Sequence, residues 1–549
     1  MRRIFALAAL TAMTIPVAAQ DTYENARLLG SDLNGTARYV GMGGALEALG
    51  ADISTISTNP AGIGLFRRSN VSVSFGLVSQ QDCKDFDNLG KTNMSFDQAG
   101  FVYSNRTGEN SYLNFAFNYH KSRNFDQILS AANNEMRGAS MSKLAFGKGT
   151  KDSDTNGGYY WDTNTQNEII GWRNQNSNER AWQYTQWDYL YFNTIGYDKD
   201  TQEALFVEAE PFGGENAYVF DRAHRGWISD FDFNMSGNIH DRVFLGITIG
   251  VHSVNYKGVS NYSEHIVAAD GHDRGWLTLA DERKITGTGA DIKAGAIFRP
   301  IEDSPFRFGL SISTPTWYDL KSENWTTLYN YTDSNWGYDN GNSSEVYNFK
   351  YYTPWKFGLS LGHTIGSEIA LGASYEFTDY TASDTRVNDG YDYYGNRSSY
   401  SDHEMKSNAE NSLKSAHLLK LGAEFKPDPS MAVRLGYNYV SPMYNKNGYR
   451  DSQLNSMGNM YASTADYTNW EDTHRLTCGF GYKYQNLNVD LAYQYSTTKG
   501  QLYPFQPNVN FVDPVPDLNG NPIYETNISA PTAVSHKRHQ VLLSLTYTF

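Results

Sequence analysis

A two-residue alternation of apolar and polar side chains recurs along this chain and constrains its fold more than any other feature. The final stretch shows it clearly, with Val541, Leu543, Leu545, Tyr547 and Phe549 alternating with Leu542, Ser544, Thr546 and Thr548. Successive side chains of a β-strand point to opposite faces of the sheet. The alternation therefore predicts strands with one apolar face.

The same pattern upstream brings the predicted number of strands to fourteen. The other thirteen are the segments 489–495, 476–482, 433–439, 419–425 and 369–377, and strands centred on Leu359, Leu310, Ala294, Ile247, Phe233, Phe115, Val102 and Val73. Charged residues such as Lys420, Glu424 and Glu376 fall on the face opposite the apolar one, which suits lipid outside a barrel and a polar lumen inside. An even number of strands closes a single-chain barrel, so that no sheet edge faces hydrocarbon.

The connections between these strands alternate in length. The short ones are rich in turn-forming residues and lie at 105–110, 238–241, 300–305, 364–367, 426–430 and 485–486. The long polar ones cover about 80–97, 121–229, 252–288, 315–354, 380–416, 441–473 and 497–538. Outer-membrane barrels have short periplasmic turns and long extracellular loops. We therefore predict an all-β transmembrane antiparallel barrel of about 14 strands with long extracellular loops.

The composition agrees with such a barrel. The mean hydropathy of −0.56 and the net charge of −15 would suit a soluble protein, but aromatic residues make up 14% of the chain. Barrel strands are apolar on one face only, so they leave little trace in hydropathy averages. The acidic balance argues against nucleic acid as a partner, because phosphate binding needs a basic surface.

The amino terminus has the features of a cleaved secretory signal peptide. Met1-Arg2-Arg3 precedes an apolar run from Ile4 to Val17, and Ala18-Ala19 supplies small residues for cleavage before Gln20. The run is shorter than a spanning helix requires, so a retained anchor is the weaker alternative. We predict a signal peptide at 1–19, a plug at 20–69 and the barrel at 70–549, in the outer membrane of a Gram-negative type of cell.

The segment 20–69, which we call the hatch, is rich in glycine and alanine and contains Asn59-Pro60-Ala61-Gly62. A segment rich in small residues can turn tightly and pack inside a barrel. With the signal peptide, the strand count and the final Phe549, this stretch resembles the FadL/TodX family of outer-membrane transporters for hydrophobic compounds. The resemblance covers the hatch and the strand architecture, whereas the loops show no match.

The resemblance implies a barrel blocked by its hatch. It also implies passive uptake of hydrophobic molecules, such as long-chain fatty acids or aromatic compounds, by capture outside and sideways release through the wall. That opening is associated with a kink in the third strand. The predicted third strand, Tyr112 to His120, contains neither Gly nor Pro, so the sequence does not support this detail. We expect Asn59, Pro60, Ala61 and Gly62 to couple the hatch to the wall without contacting cargo.

Other candidate residues carry weaker signals. Aromatic residues of the longest loop, including Trp161, Trp172, Trp182 and Trp187, either line a ligand groove or pack the loops together. Tyr547 and Phe549 resemble the carboxy-terminal signal that barrels present to their assembly machinery. Asp152 to Gly157 copies half of a calcium loop but has Thr163 where the loop needs Glu, so a solvated turn is the simpler interpretation.

The histidines and cysteines single out no site. His265 with His272, and His536 with His539, share predicted loops, but nothing marks them as the haem ligands of a haemin receptor. Cys83 and Cys478 fall on a predicted loop and in mid-strand, which argues against a disulfide between them. We predict no metal, no cofactor and no enzymatic activity. The expected partners are outer-membrane lipid, a hydrophobic small molecule and the assembly machinery, with the chain a monomer. The alternatives are a haemin receptor, a general porin and a surface adhesin.

Overall fold

The structure is a computed structural model. It describes residues 21–136, 139–150, 158–162, 168–173, 180–181, 184–195, 217–267, 272–332, 340–391, 397–509, 515–516, 522–523 and 526–549. The predicted signal peptide, the stretch from Asp152 to Gly157 and Trp182 lie outside the described residues. Within the described part of the chain, no helix is both long and apolar enough to cross a membrane.

Fourteen antiparallel strands form one closed barrel, as the alternation predicts. Nine are continuous: β1 Asn70–Gln81, β2 Thr92–Gly108, β4 Ala217–Ile239, β5 Val243–Val267, β6 Asp273–Phe298, β11 Met431–Val440, β12 Tyr467–Tyr484, β13 Leu487–Tyr503 and β14 Thr532–Thr548. Five are interrupted: β3 (Ser111–Asn124, Gln127–Asn133), β7 (Arg307–Ser313, Trp317–Thr332), β8 (Asn340–Tyr352, Lys356–Ile365), β9 (Ile369–Asp379, Asp384–Tyr391) and β10 (Arg397–Ser401, Ser415–Asp428). Pairing of β1 with β14 from Asn70↔Thr548 to Gln81↔Lys537 closes the ring.

Short helices accompany the barrel. The hatch holds α1 Thr22–Ala26, α2 Ala37–Gly41 and two 3-10 turns at Ile53–Ser57 and Pro60–Leu65. The extracellular segments hold α3 Met141–Thr150, α4 Gln186–Ile195, α5 His403–Ser412 and α6 Met457–Met460, with a 3-10 turn at Tyr380–Ala382. Gly158–Asp162, Glu168–Arg173 and Arg180–Ala181 make a separate small sheet. The segment between β13 and β14 contains four two-residue strands. Asn508–Val509 pairs with Thr526–Asn527, and Val515–Pro516 pairs with Pro522–Ile523.

The barrel presents an apolar belt outward and polar groups inward. On β5, Leu245, Ile247, Ile249 and Val251 are exposed, whereas the alternating Thr248 is buried. The inward wall also buries charged residues, including Asp232, Lys293, Lys420, Glu424 and Arg434. Exposed aliphatic residues around a polar interior are stable only when the outer surface faces hydrocarbon. The fold is therefore a membrane-spanning barrel.

Much of what the sequence analysis treats as extracellular loop is strand, so the predicted bounds of several loops are wrong. The pairing of β5 with β6 runs without interruption to Asp273↔Val267, through the supposed loop 252–288. Beyond Val251 the outward residues become polar, beginning with Ser253 and Asn255, while several of the inward ones, such as Val254, Tyr256 and Ile266, are apolar. In this upper part of the wall the two-residue alternation continues, but the polar residues now face outward and the apolar ones face inward. The barrel wall thus continues well above the apolar belt.

The third strand also differs from its prediction. Its pairing with β2 ends at Gln98↔His120, although β3 runs on to Asn124 and resumes at Gln127. The register with β4 shifts between Lys121 and Arg123. The glycine that permits this irregularity is Gly226 on β4, which has φ +104° and whose carbonyl accepts a hydrogen bond from Phe125 N at 2.9 Å. β3 is therefore interrupted between its two segments, and the glycine opposite this break belongs to the neighbouring strand β4.

The described part of the hatch lies inside the barrel and is bonded to strands around the whole ring. Ala37 N donates to Ser544 Oγ of β14 at 2.7 Å, and Thr248 Oγ1 of β5 donates to the Ile56 carbonyl at 3.0 Å. Asn114 Nδ2 of β3 donates to the Ile63 carbonyl at 2.7 Å. Across the ring from β5, Asn438 Nδ2 of β11 donates to the Gly43 carbonyl at 3.2 Å. Because these bonds reach opposite parts of the wall, the segment spans the cross-section of the lumen.

Candidate functional site

The candidate site is an internal cavity of about 230 Å³ between the hatch and the wall. The hatch contributes residues from α1 to Asp32, and the wall contributes residues of β3, β4, β9 to β14 and their extensions. Its walls combine two kinds of side chain, aromatic and cationic. We call it the lumenal cavity.

Aromatic residues form one side of the lumenal cavity. Tyr23 of α1 stacks on Tyr444 with ring centroids 5.4 Å apart, and it lies 4.9 Å from the ring of Tyr467. Phe125 and Tyr380 line the same cavity and belong to the same buried cluster. This side offers an apolar molecule a surface from which water is largely excluded.

Five guanidinium groups line the rest of the cavity: Arg27, Arg123, Arg222, Arg475 and Arg538. Three of them are paired with carboxylates. Arg222 lies 2.5 Å from Asp466, whereas Arg475 and Arg538 share Asp32 at 3.9 and 3.5 Å. Burial by itself would raise the pKa of Asp32, but Arg538, Arg123 and Arg475 hold it at about 2. The hatch carboxylate Asp32 is therefore ionised at neutral pH.

Arg27 and Arg123 are different, because neither forms an ion pair with any carboxylate in the described residues. Arg27 Nη1 donates to the phenol oxygen of Tyr256 at 2.9 Å, which is a neutral partner. Both arginines are half-buried beside the aromatic wall. A guanidinium offers a fork of donors suited to a carboxylate. The cavity can therefore hold an acidic group next to an apolar body.

The cavity also reaches the break in β3, since Arg123 to Gln127 form part of its lining. Above the Gln98↔His120 pair, the wall between β2 and β3 is joined by side chains instead of backbone ladder bonds. Lys121 Nζ donates to Ser95 Oγ at 2.9 Å, and Asn34 Nδ2 of the hatch donates to Asp97 Oδ1 and to the Lys121 carbonyl, both at 3.0 Å. We call this place the side-chain seam.

The hatch motif lies at a rigid corner against the wall. Asn59 caps the 3-10 turn Pro60–Leu65 by accepting from Ala61 N at 3.2 Å. The Pro60 carbonyl accepts from Ser236 Oγ of β4 at 2.8 Å, and buried Ala61 packs on the wall cluster of β5 and β6. Gly62 has room for no side chain, because a Cβ there would lie 2.4 Å from Thr55 Oγ1. The coupling of hatch to wall remains a prediction that this geometry favours.

The four predicted groove tryptophans are not seen together. Trp161 and Trp172 belong to the small extracellular sheet, and nothing is described of their side chains. Trp187 of α4 is fully buried with Leu190 and Tyr191 in an apolar cluster under the extracellular ends of the strands. Trp187 therefore packs in the interior of an extracellular cap, formed by α3 and α4 over the upper barrel, and does not line an open groove.

The remaining candidates are dispersed. His536 lines the lumenal cavity, whereas His539 lies on the outer face bonded to Tyr493, so these two cannot share one ligand. His265 pairs with Asp273 at 2.8 Å and stacks on Trp276. Cys83 and Cys478 are both free thiols. Tyr547 and Phe549 are exposed on the outer surface with their rings edge to face.

Comparisons with known proteins find similar barrels among solved structures. A Pseudomonas aeruginosa FadL homologue is 12% identical with a TM-score of 0.48, covering 95% of this chain and 99% of that one. The Ralstonia pickettii toluene transporter TbuX (11%, TM-score 0.44) and the Pseudomonas putida toluene transporter TodX (9%, TM-score 0.44) cover 94% and 95% of this chain and 99% of their own. The chain resembles these barrels along nearly its whole length. No protein-family model matches it, and no curated protein does. At these identities the likeness establishes no shared activity.

Sequence reasoning missed the residues that build the cavity. Arg27, Arg123 and Arg222 lie in the hatch and in segments read as loop, where charged residues are unremarkable. The two-residue alternation of the upper strands could have indicated them, because it places Arg222 and Arg538 on the inward face. The polar residues of the outer face hide that alternation in the sequence.

Proposed function

We propose that this protein is an outer-membrane transporter for the passive uptake of hydrophobic molecules that carry an acidic group, of the long-chain fatty-acid type. The observation that carries the proposal is the pair Arg27 and Arg123, two guanidiniums beside an aromatic wall that form no ion pair with any carboxylate of the described residues. A neutral hydrocarbon would leave both charges unpaired, whereas a carboxylate would bind to them in a charge-assisted way.

The hatch and the side-chain seam support an uptake path that avoids the periplasmic end of the lumen. The hatch fills the cross-section, so we propose that it prevents free diffusion through the pore. The seam joins the lumenal cavity to the lipid side of the wall through Lys121 and Asn34, whose bonds break more easily than a backbone ladder. Apolar cargo leaving there would enter the membrane directly, gaining about 0.8 kcal/mol per CH₂ buried.

Three further points belong to the same proposal. The apolar belt suits the outer membrane, with the exported chain acting as a monomer in contact with lipid. Transport is passive and leaves the cargo chemically unchanged, so the protein acts without catalysis. Haemin also carries acidic groups beside an apolar body, which makes it the second cargo to test.

The deciding experiment compares a long-chain fatty acid with its methyl ester. Binding of each is measured to the purified full chain in a non-ionic detergent, for the wild type and for Arg27→Gln/Arg123→Gln. Hydrogen bonds to charged groups contribute about 1.5–3 kcal/mol each. We therefore expect the variant to lose at least about tenfold in affinity for the acid and little for the ester.

The matched control is Arg67→Gln, because Arg67 is 62% exposed and pairs with Asp241 away from the cavity. Equal binding of acid and ester by the wild type would refute the acidic-cargo proposal. A large, steady open-channel current in planar bilayers would instead favour a porin. Haemin that binds with a shifted absorption band, in the absence of fatty-acid binding, would favour the haemin receptor.

A further inference from the structure

A closed ring of ionisable side chains lies buried on the inner wall of β3 to β6. Acidic and basic groups alternate around it. The order is Asp232, His120, Asp230, His252, Asp291 and Lys293, and each is less than a tenth exposed. The lumen is polar, but buried groups of this kind are costly unless each is paired. The distances around the ring show which of them are.

One side of the ring is tightly bonded. Lys293 Nζ lies 3.0 Å from Asp232 Oδ1 and 2.9 Å from Asp291 Oδ1. His252 lies between two carboxylates, with Nδ1 2.7 Å from Asp230 Oδ1 and Nε2 3.1 Å from Asp291 Oδ2. Lys293 and His252 thus lie against all three carboxylates of the ring.

The other side is loose. His120 Nδ1 lies 3.6 Å from Asp232 Oδ2, and His120 Nε2 lies 3.7 Å from Asp230 Oδ2. Both distances exceed those of an N–H···O hydrogen bond. Asp232 is fully buried, yet its Oδ2 has no hydrogen-bond partner among the described residues. One buried acceptor oxygen, Asp232 Oδ2, is therefore left without a hydrogen bond beside the His120 imidazole.

The two carboxylates are held in the orientation of ligands. Asp230 Oδ1 is fixed by His252 and by Ser122 Oγ, which donates at 2.8 Å, and Asp232 Oδ1 is fixed by Lys293. In metal sites, such outer partners orient the ligating oxygens. One nitrogen of His120 and one oxygen of each carboxylate lie within 4.8 Å of one another. A cavity of about 100 Å³ lined by His120 and Asp230 gives access from the lumen.

We propose that His120, Asp230 and Asp232 bind a divalent transition-metal ion of the Zn²⁺ type. An imidazole nitrogen with carboxylate oxygens suits zinc and its neighbours, and water from the small cavity can complete the coordination. Calcium fits poorly, because it takes six to eight oxygen ligands. The bound ion gives the buried Asp232 Oδ2 the partner that the described residues do not supply.

The position of the site gives the ion a structural consequence. His120 is the last residue of β3 that pairs with β2, and the side-chain seam begins immediately above it. An ion shared by His120 with Asp230 and Asp232 joins this end of β3 to β4. Metal binding should therefore hold the paired wall together at the lower edge of the seam.

Co²⁺ is the probe of choice, because its visible absorption reports on coordination. The full chain, purified without a polyhistidine tag and stripped with a chelator, is titrated with Co²⁺ and then with Zn²⁺. We expect one saturable site per chain, displacement of Co²⁺ by Zn²⁺ and no displacement by Ca²⁺. His120→Gln and Asp232→Asn should abolish the absorption band. His252→Gln removes only an outer partner and should weaken binding by about 10- to 100-fold.

The matched control is His403→Gln, an exposed histidine on α5, which should bind Co²⁺ like the wild type. Far-ultraviolet circular dichroism checks that each variant retains its strands. The proposal is overturned if the stripped wild type binds neither ion at one site per chain. It is also overturned if a folded His120→Gln variant binds as the wild type does, since the ion would then be bound elsewhere in the chain.

Discussion

Lys420 Nζ, on the wall strand β10, donates a 2.6 Å hydrogen bond to Glu47 Oε1 of the hatch. Both residues are buried, with side chains 5% and 6% exposed. Ser374 of β9 donates to the other carboxylate oxygen of Glu47. A second pair, Arg38 with Glu424 of β10, joins the hatch to the same strand at 3.3 Å. The middle of the hatch is thus held to the wall by charge as well as by packing.

Glu47→Gln should loosen the hatch, because it leaves the buried ammonium of Lys420 without its counter-charge. Removing one partner of a buried ion pair typically costs about 3–5 kcal/mol. In planar bilayers we expect brief current bursts that the wild type lacks, and smaller ones than deletion of 20–69 produces. Glu282→Gln is the control, since its pair with Lys257 is exposed and should matter little. Silent recordings from a folded Glu47→Gln variant would contradict this role.

Gly295→Ala should displace the corner of the hatch. A Cβ at Gly295 would lie 2.0 Å from Asn59 Oδ1, and this side chain is held by the backbone of Ala61. We expect lower hydrophobic uptake or higher conductance in this variant. Asn59→Ala added to it should relieve the overlap and move both values back towards the wild type.

The matched control for that pair is Gly237→Ala, because a Cβ at this wall glycine meets no atom within 4 Å. Transport by Gly295→Ala at the wild-type level would show that the corner does not transmit its position to the hatch. If the double variant Gly295→Ala/Asn59→Ala shows the same uptake and conductance as Gly295→Ala alone, the overlap with Asn59 is not the cause of the change.

Glu264 makes the extracellular cap sensitive to pH. Burial raises the pKa of Glu264 to about 8, although Met141 N donates to its carboxylate at 3.1 Å. A raised pKa favours the folded cap below pH 4.5, and this stabilisation is lost as the pH rises towards 8. Tryptic cleavage at Lys148, corrected for trypsin's own pH profile, should therefore increase between pH 6 and pH 9. Glu264→Gln should remove most of that increase, and a parallel increase in both proteins would exclude Glu264 as its source.

Trp187→Ala should loosen the cap without removing a cargo contact. Trp187 is fully buried, packs at right angles on Tyr191 and lies 4.8 Å from Lys148 Nζ. Truncating a buried aromatic costs about 3–5 kcal/mol. We expect faster proteolysis of the cap and faster ligand association, with ligand dissociation from the lumenal cavity unchanged. Slower association or a selective rise in dissociation would support a ligand-contacting tryptophan instead.

The sequence by itself determined the barrel, its strand number and its turns. These follow from the alternation of Leu543 with Ser544 and of similar neighbours, because the period of a strand is a local property that no distant residue changes. It also pointed to Asn59-Pro60 as a corner, since Pro restricts its own backbone and that of the preceding residue.

The extracellular ends of the strands were misread for a physical reason. Outside the membrane a strand needs a polar outer face, as at Ser253 and Asn255, and that composition is also the composition of a loop. The break in β3 was misjudged similarly, because the glycine that permits it, Gly226, belongs to the partner strand.

Only the tertiary structure decided the two candidate sites. Arg27 and Arg123 meet in one cavity because the hatch folds back into the lumen, and His120 meets Asp230 and Asp232 because β3 pairs with β4 across a long insertion. Barrel closure brings residues together by strand register and inward orientation, not by spacing along the chain. A charged residue in a polar segment looks solvated until the wall that buries it is in place.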